Sequence, residues 1–215
     1  MTEEMTYQDK KIKALFDLMD INGNNQIDFH DFIKHALYLK KKRRWEDDSK
    51  EFKEIMDAKS TFWAILTHKG GVIKEDDLPE NPREPSEFKL KYKHWLKFWD
   101  NVREEFATGK QSRWLLMVLV SIFKNINATG GSTIEEREYN DYLDSIEVPG
   151  KDDVNIGNLA EQKRSEAWNK ISRGKDYIEI DDMFHLLQEW LESDQPDPEM
   201  VGDLFATAGY KTHWE

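Results

Sequence analysis

The chain has 215 residues, of which 38% are apolar, carries a formal charge of −12 at pH 7 and contains no cysteine. This length is enough for a buried core, the absence of cysteine excludes disulfides, thiolate zinc sites and thiol catalysis, and the negative charge argues against nucleic-acid partners. The longest apolar run, residues 114–120, is too short to cross a bilayer, and the first residues lack the apolar stretch of a signal peptide, so we expect a cytoplasmic protein without a membrane span.

Apolar residues repeat at helical spacing in eight stretches of the chain. The first stretch ends before residue 20 and is defined by Ile12, Leu15, Phe16 and Met19. The second follows residue 28 and is defined by Phe29, Phe32, Ile33, Ala36 and Leu37. The other six lie within residues 52–66, 92–102, 114–123, 139–146, 160–171 and 180–191. Breaks rich in glycine, proline or both lie at residues 68–71, 78–85, 148–153 and 193–198.

The fold class follows from these helices and from the scarcity of strand patterns. No stretch alternates apolar and polar residues for long enough to form a sheet, although the segments at 132–134 and 177–180 could pair as bridges between loops. The sequence therefore predicts an all-α fold of four helix–loop–helix units in two pairs, with short β-bridges between the loops. We expect the first pair within residues 1–108 and the second, with a C-terminal tail, within residues 109–215.

The loop between the first two helices, DINGNNQIDFHD at residues 20–31, has the oxygen pattern of a calcium loop. Calcium takes six to eight oxygen ligands, and a twelve-residue loop supplies them from positions 1, 3, 5, 7, 9 and 12, with position 7 acting through its carbonyl. The candidate ligands are Asp20, Asn22, Asn24, the Gln26 carbonyl, Asp28 and Asp31. Position 8 is the apolar Ile27, a residue that lets paired loops bridge each other.

Two residues of this loop depart from the usual motif. Asn25 replaces the glycine of position 6, which is a mild change because asparagine tolerates a left-handed backbone. Asp31 replaces the glutamate of position 12, and its shorter side chain favours fewer ligands, so that Mg²⁺ competes with Ca²⁺. A polar, Asn-rich turn that only caps the next helix is the alternative interpretation.

The third loop is a weaker second candidate for metal binding. With Ile134 at position 8, its ligands would be Asn127, Thr129, the Thr133 carbonyl, Glu135 and Glu138. The closing glutamate fits the motif, but Gly131 at position 5 offers no side-chain oxygen and only two carboxylates remain. We therefore expect weak binding at most.

The fourth and second loops depart further from the motif. In the fourth, Ile178 at position 8 places Ile171, Arg173 and Lys175 where three ligands belong, and these cations could instead pair with Glu179 or Asp182. In the second, one frame begins at Arg83 and ends at His94, and another places Ile73 at position 8. Neither frame provides a metal site.

The segment FDLMDINGNNQIDFHDF at 16–32 resembles the first loop of the sarcoplasmic calcium-binding proteins and the calexcitins. Phe16 stands four residues before the first ligand, and Asp31 closes the loop, as aspartate commonly does in the first loop of that family. The segments WLKFW at 95–99 and EWLESDQPDPEMVGDLF at 189–205 are loosely similar to the Trp-rich helix and the closing tail of the family. The same superfamily includes the calcium-regulated photoproteins and the coelenterazine-binding proteins.

The resemblance implies a cytosolic EF-hand protein that binds calcium. One good site favours a sensor or a low-capacity buffer, and the partner would be calcium alone or calcium with a protein target. The alternative is a protein that binds a small apolar, luciferin-like molecule on a degenerate EF-hand scaffold. An enzyme of the juvenile-hormone diol kinase type is the third choice, since no G-x-x-x-x-G-K-[ST] loop or G-x-S-x-G elbow is present. We therefore expect no catalytic activity.

Aromatic residues support the alternative, because several lie on helix faces that would converge between the two halves. These are Trp95, Trp99, Trp114, Trp168, Trp190, Phe184 and Phe205. They could line a hollow for an apolar ligand, although aromatic residues at helical spacing are more often plain core. The photoproteins also set histidines against Trp and Tyr, whereas this chain has Leu15 in the first helix and His185 five residues before Trp190. Light emission is therefore not expected.

Overall fold

Eight helices dominate the structure, a computed structural model that describes residues 5–20, 22–72, 88–109, 112–127, 129–144 and 164–194. The helices are α1 Tyr7–Met19, α2 Phe29–Arg43, α3 Lys50–Lys69, α4 Tyr92–Ala107, α5 Arg113–Ile126, α6 Glu136–Asp144, α7 over 164–172 and α8 Ile180–Glu192. They coincide with the eight stretches of helical periodicity, so the predicted all-α fold is confirmed. No helix in these described ranges combines the length and the apolar character that a membrane span needs.

Short polar residues explain where three of the helices begin. The side chain of Thr6 accepts a hydrogen bond from the backbone N–H of Asp9 at the start of α1. Ser49 and Ser112 accept the corresponding bonds at the starts of α3 and α5. Each side chain satisfies one of the N–H groups that the first turn of a helix leaves without a partner.

Two antiparallel bridges join the loops in pairs. The strands are β1 Gln26–Ile27, which pairs with β2 Leu90–Lys91, and β3 Ile134–Glu135, which pairs with β4 Tyr177–Ile178. Ile27 lies opposite Leu90, and Ile134 lies opposite Ile178, and all four side chains are buried. The second bridge forms between the two segments for which the sequence predicted it.

The first bridge also decides the frame of the second loop. Leu90 takes position 8, which makes His94 position 12, whereas Ile73 of the competing frame lies outside the described residues. The Pro-rich segment at 78–85 also lies outside them.

The largest core cluster brings together helices from both halves of the chain. Aromatic rings run through it, with Trp99 edge-on to Trp95 at 5.7 Å and to Trp190 at 5.6 Å between ring centroids. A second cluster, which contains Tyr139 and Trp168, lies under the third and fourth loops. The division into residues 1–108 and 109–215 stays a prediction, and the largest cluster includes residues from both sides of it.

Candidate functional site

The first loop follows α1 and contains two residues with a left-handed backbone. The N–H of Asp20 still donates to the carbonyl of Phe16 at 2.9 Å, so Asp20 caps the end of α1. Gly23 and Asn25 then turn the chain with φ angles of 66° and 60°. Asn25 thus adopts the conformation for which glycine is usual at position 6, as the sequence predicted it could.

Side-chain oxygens at positions 1, 3 and 5 fold the backbone of this loop. The two carboxylate oxygens of Asp20 accept the N–H groups of Asn24 at 3.1 Å and Asn25 at 2.7 Å. The Oδ1 atoms of Asn22 and Asn24 accept the N–H groups two residues further on, at 3.1 Å and 2.9 Å. Each of these oxygens keeps a second lone pair, so the bonds position the donors and leave them able to bind a cation.

Asp28 and Asp31 form a reciprocal capping pair at the start of α2. Oδ1 of Asp28 accepts the N–H of Asp31 at 2.9 Å, and Oδ2 of Asp31 accepts the N–H of Asp28 at 3.2 Å. Asp31 is only 2% exposed. Burial raises the pKa of Asp31 above its usual value, and the neighbouring carboxylates of Asp28 and Asp20 add to this effect. A cation in the loop would oppose both causes.

The donor set of the first loop fits a hard cation. Five of the six predicted ligands lie between α1 and α2, Asp31 lies in the first turn of α2, and all six supply oxygens, which Ca²⁺ and Mg²⁺ prefer. Within the described residues, no group of three or more His, Cys, Asp and Glu side chains is close enough to hold a metal by itself. Asp20, Asp28 and Asp31 thus do not form such a group in this structure, and the amide and carbonyl oxygens of Asn22, Asn24 and Gln26 make up the other half of the predicted ligand set.

Hydrogen bonds within the third loop satisfy its polar groups. Oδ1 of Asn127 accepts N–H groups from Gly130 at 2.9 Å and Gly131 at 3.2 Å. Its Nδ2 donates to the carbonyls of Gly131 at 2.6 Å and Thr133 at 3.0 Å. The Thr133 carbonyl is the predicted position-7 ligand, and here it accepts an amide N–H instead.

Glu138, the predicted closing ligand of this loop, is also engaged. It is 4% exposed and accepts the backbone N–H of Thr129 at 2.9 Å and of Glu135 at 3.0 Å. Each of its two oxygens keeps a second lone pair that could accept a cation. Weak binding at most stays the prediction for this loop.

The fourth loop contains its own cation. Nζ of Lys175, at position 5, donates to Glu179 at 3.0 Å and to Asp182 at 2.6 Å, which are positions 9 and 12. Burial alone would raise the pKa of Asp182, but the hydrogen bonds from Lys175 and from the Glu179 backbone hold it below its usual value. The ammonium thus takes the place of a bound metal, in the internal pairing that the sequence suggested.

The second loop offers no carboxylate in its described part. Nδ1 of His94, at position 12, accepts the N–H of Lys91 at 3.2 Å. Burial lowers the pKa of His94, and the charges of Lys93, Lys91 and Lys97 lower it further. A neutral imidazole among lysines is a poor substitute for the closing carboxylate of a calcium loop.

A cavity of about 250 Å³, partly open to solvent, lies between helices of both pairs and is called the interior cavity below. Trp95, Trp99 and Trp190 line it, as the sequence predicted, and so does Leu15. Its described lining contains no histidine, and His185 is exposed.

Three other predicted aromatic residues, Trp114, Trp168 and Phe184, do not line this cavity. Trp114 donates its Nε1 proton to Glu105 at 3.2 Å, and Trp168 packs against Tyr139 in the second cluster. Phe184 packs against Phe106 with ring centroids 5.0 Å apart, and Phe205 lies outside the described residues. The prediction that these aromatic residues line the hollow is therefore wrong for Trp114, Trp168 and Phe184.

Sequence reasoning missed one residue of this cavity, Lys59 on α3. Its side chain lines the cavity and is 8% exposed, and burial lowers its pKa to about 8. Its Nζ lies 4.9 Å from the ring centroid of Phe32. The signal was present in the sequence, because Lys59 stands between Ile55 and Phe62 at the spacing of the apolar face of α3.

Comparison with known proteins supports the fold and not a closer relationship. No family model matches the chain, and no curated protein matches its sequence. A sarcoplasmic calcium-binding protein from amphioxus is 18% identical, with a TM-score of 0.56, over 92% of this chain and 96% of that one. A calcium-binding protein from Streptomyces coelicolor is 14% identical, with a TM-score of 0.57, over 86% and 97%.

The coelenterazine-binding protein from Renilla muelleri, in its calcium-loaded apo form, is a third similar structure. It is 13% identical with a TM-score of 0.56, over 91% of this chain and 93% of that one. At these identities the likeness shows the fold alone. This chain therefore has an EF-hand-like fold.

Proposed function

We propose that this protein binds one Ca²⁺ ion in its first loop, through Asp20, Asn22, Asn24, the Gln26 carbonyl, Asp28 and Asp31. The observation that carries this proposal is the pair of buried carboxylates, Asp20 and Asp31, in a turn of oxygen donors. Buried carboxylates are stable when a cation or several hydrogen-bond donors neutralise them. Mg²⁺ uses the same donors and competes for the site, because Asp31 has the shorter side chain.

A sensor suits this arrangement better than a bulk buffer. The third loop closes on Asn127, the fourth loop closes on Lys175, and the described part of the second offers His94 in place of a carboxylate. A chain that binds calcium in one of its four loops takes up little calcium, but it switches between one metal-free state and one calcium-bound state. We therefore propose a sensor or low-capacity buffer that acts on a protein target, and we propose the cytoplasm as its location.

Calorimetry with Ca²⁺ on the metal-free protein tests this proposal. The wild-type chain should bind one equivalent tightly, and Asp20→Ala should abolish that binding because it removes the carboxylate around which the loop folds. Asp31→Asn keeps an oxygen for the capping bond while removing the charge, so it separates lost coordination from a misfolded loop.

The matched control is Glu138→Gln in the third loop, which should leave the tight equivalent unchanged. Wild-type affinity in Asp20→Ala, or three or more tight equivalents in the wild type, would overturn the assignment.

A second function has its own support in the interior cavity. About 250 Å³ of space lined by tryptophan and leucine is much more than the volume of one water molecule, about 30 Å³. Apolar cavities with a few polar groups are the usual form of small-molecule sites. We propose that a small, largely apolar molecule binds there. Catalysis remains the third choice, because no phosphate-binding motif supports a kinase.

A further inference from the structure

One charged side chain, that of Lys59, lines the interior cavity within the described part of the chain. Lys59 is 8% exposed, and no carboxylate of the described residues forms an ion pair with its ammonium. The ring of Phe32 at 4.9 Å is the contact that compensates it. A cation–π contact is worth about 0.5–2 kcal/mol, which is less than the desolvation penalty of a buried ion.

Three other polar atoms on residues of the same wall are buried without a hydrogen-bond partner. These are the indole N–H groups of Trp99 and Trp190 and the Oδ1 atom of Asn125. Buried polar groups in folded proteins nearly always have partners, so orphaned groups around one cavity indicate a missing molecule. Two of the three are donors, and with the ammonium they favour a ligand that carries acceptor oxygens.

The charge balance narrows the chemical class of that ligand. A phosphate monoester carries up to two negative charges and needs more than one cation to enter an apolar site. A carboxylate carries one charge, which a single lysine neutralises, and the rest of the cavity wall is apolar apart from Asn125 and Tyr142.

We propose that the cavity binds a small amphipathic carboxylic acid, with its carboxylate paired to Lys59 and its apolar body against Trp95, Trp99 and Trp190. This inference rests on the second function proposed above and does not depend on calcium binding. The ligand supplies the counter-ion that the protein lacks, and the protein supplies an apolar wall for the chain or ring. Lys59 thereby determines specificity, because an uncharged ligand of the same shape would leave the ammonium unpaired.

A matched pair of ligands tests the inference on the full chain. Decanoic acid and decanol have the same hydrocarbon length and differ in the charge of one end. Both would be titrated into the wild-type protein with tryptophan emission and calorimetry as readouts. We expect saturable one-to-one binding of the acid and at least about tenfold weaker binding of the alcohol.

Variants at Lys59 assign the difference to this residue. Lys59→Met should weaken the binding of the acid by at least about tenfold and leave the affinity for the alcohol unchanged or higher, because the cavity becomes apolar at that point. Lys53→Met, on the exposed side of the same helix, should change neither affinity. Circular dichroism of each variant controls for folding, and the comparison of acid with alcohol in the wild type needs no variant.

The outcomes separate the two proposals. Equal affinities for acid and alcohol would overturn the inference and leave an apolar-ligand site. A loss of acid binding in Lys53→Met as large as in Lys59→Met would also overturn it, since the effect would then be general surface charge. Saturable binding of neither ligand would remove both the inference and the second function, while the calcium titration would stand by itself.

Discussion

Replacing Lys59 with methionine should stabilise the ligand-free protein. Burial lowers the pKa of Lys59 from 10.5 to about 8, and this difference corresponds to about 3 kcal/mol of destabilisation at pH 7. Methionine fills a similar volume without a charge but loses the cation–π contact with Phe32, worth about 1 kcal/mol. We therefore expect a net gain of about 2 kcal/mol, which for a chain of this length raises the Tm by about 4–8 °C.

The stability that Lys59→Met gains over the wild type should decrease as the pH rises. Below pH 8 Lys59 is protonated in both the folded and the unfolded protein, so its full penalty is present. Between pH 8 and 10.5 the unfolded chain binds more protons than the folded one, and the wild-type protein gains stability as pH rises. The advantage of Lys59→Met over the wild type should therefore fall from about 2 kcal/mol at pH 7 to below about 1 kcal/mol at pH 10.

Urea unfolding followed by tryptophan emission at pH 7 and pH 10 measures both quantities. Lys53→Met is the control, because Lys53 is exposed on the same helix, and it should change the free energy of unfolding by less than about 0.5 kcal/mol at either pH. A Lys59→Met protein that is destabilised at pH 7, or whose advantage is equal at both pH values, would refute the reasoning.

Three further predictions concern the loops. Asp31→Glu should raise Ca²⁺ affinity in the first loop and weaken Mg²⁺ competition, since the longer side chain reaches a cation in bidentate fashion; Ca²⁺ titrations with and without Mg²⁺ check this. Asn127→Asp removes the amide N–H that contacts the Thr133 carbonyl, so calorimetry should show a second, weak equivalent of Ca²⁺. Lys175→Met should lower the Tm at pH 7, because it leaves Asp182 unpaired. Since Lys175 holds the pKa of Asp182 below 3.8, this loss of stability should become smaller as the pH falls below 3.8. A loss of stability that does not depend on pH would contradict the pairing.

Local patterns accounted for the parts of the structure that depend on near neighbours in sequence. Helical periodicity located all eight helices, because each helix buries one face. The ligand spacing of the first loop needed no tertiary information, since Asp20 and Asn24 organise it through bonds within five residues. The internal pairing of the fourth loop was visible for the same reason, as Lys175 and Asp182 are seven residues apart.

Features set by distant contacts were not predictable in the same way. Ile73 and Leu90 are both apolar and both suited to position 8, and only the pairing with Ile27 selects Leu90. The spacing of Lys59 places it on the apolar face of α3, but only the packing of helices from both halves of the chain makes its side chain line a cavity. Trp168 belongs to the cluster under the third and fourth loops, where it packs against Tyr139 of α6, and periodicity does not specify this contact between two helices.

The ammonium of Lys175 is tethered to the chain, so chelators and dilution cannot remove it from the fourth loop. The bridge between Ile134 and Ile178 should then persist at any concentration of free calcium, so the structure of the second loop pair should not change when calcium binds elsewhere. A structural change on calcium binding would therefore be confined to the first loop pair. Because Trp190 of the second pair contacts Trp99 of the first pair, such a change would alter the tryptophan emission at their contact, with no label attached.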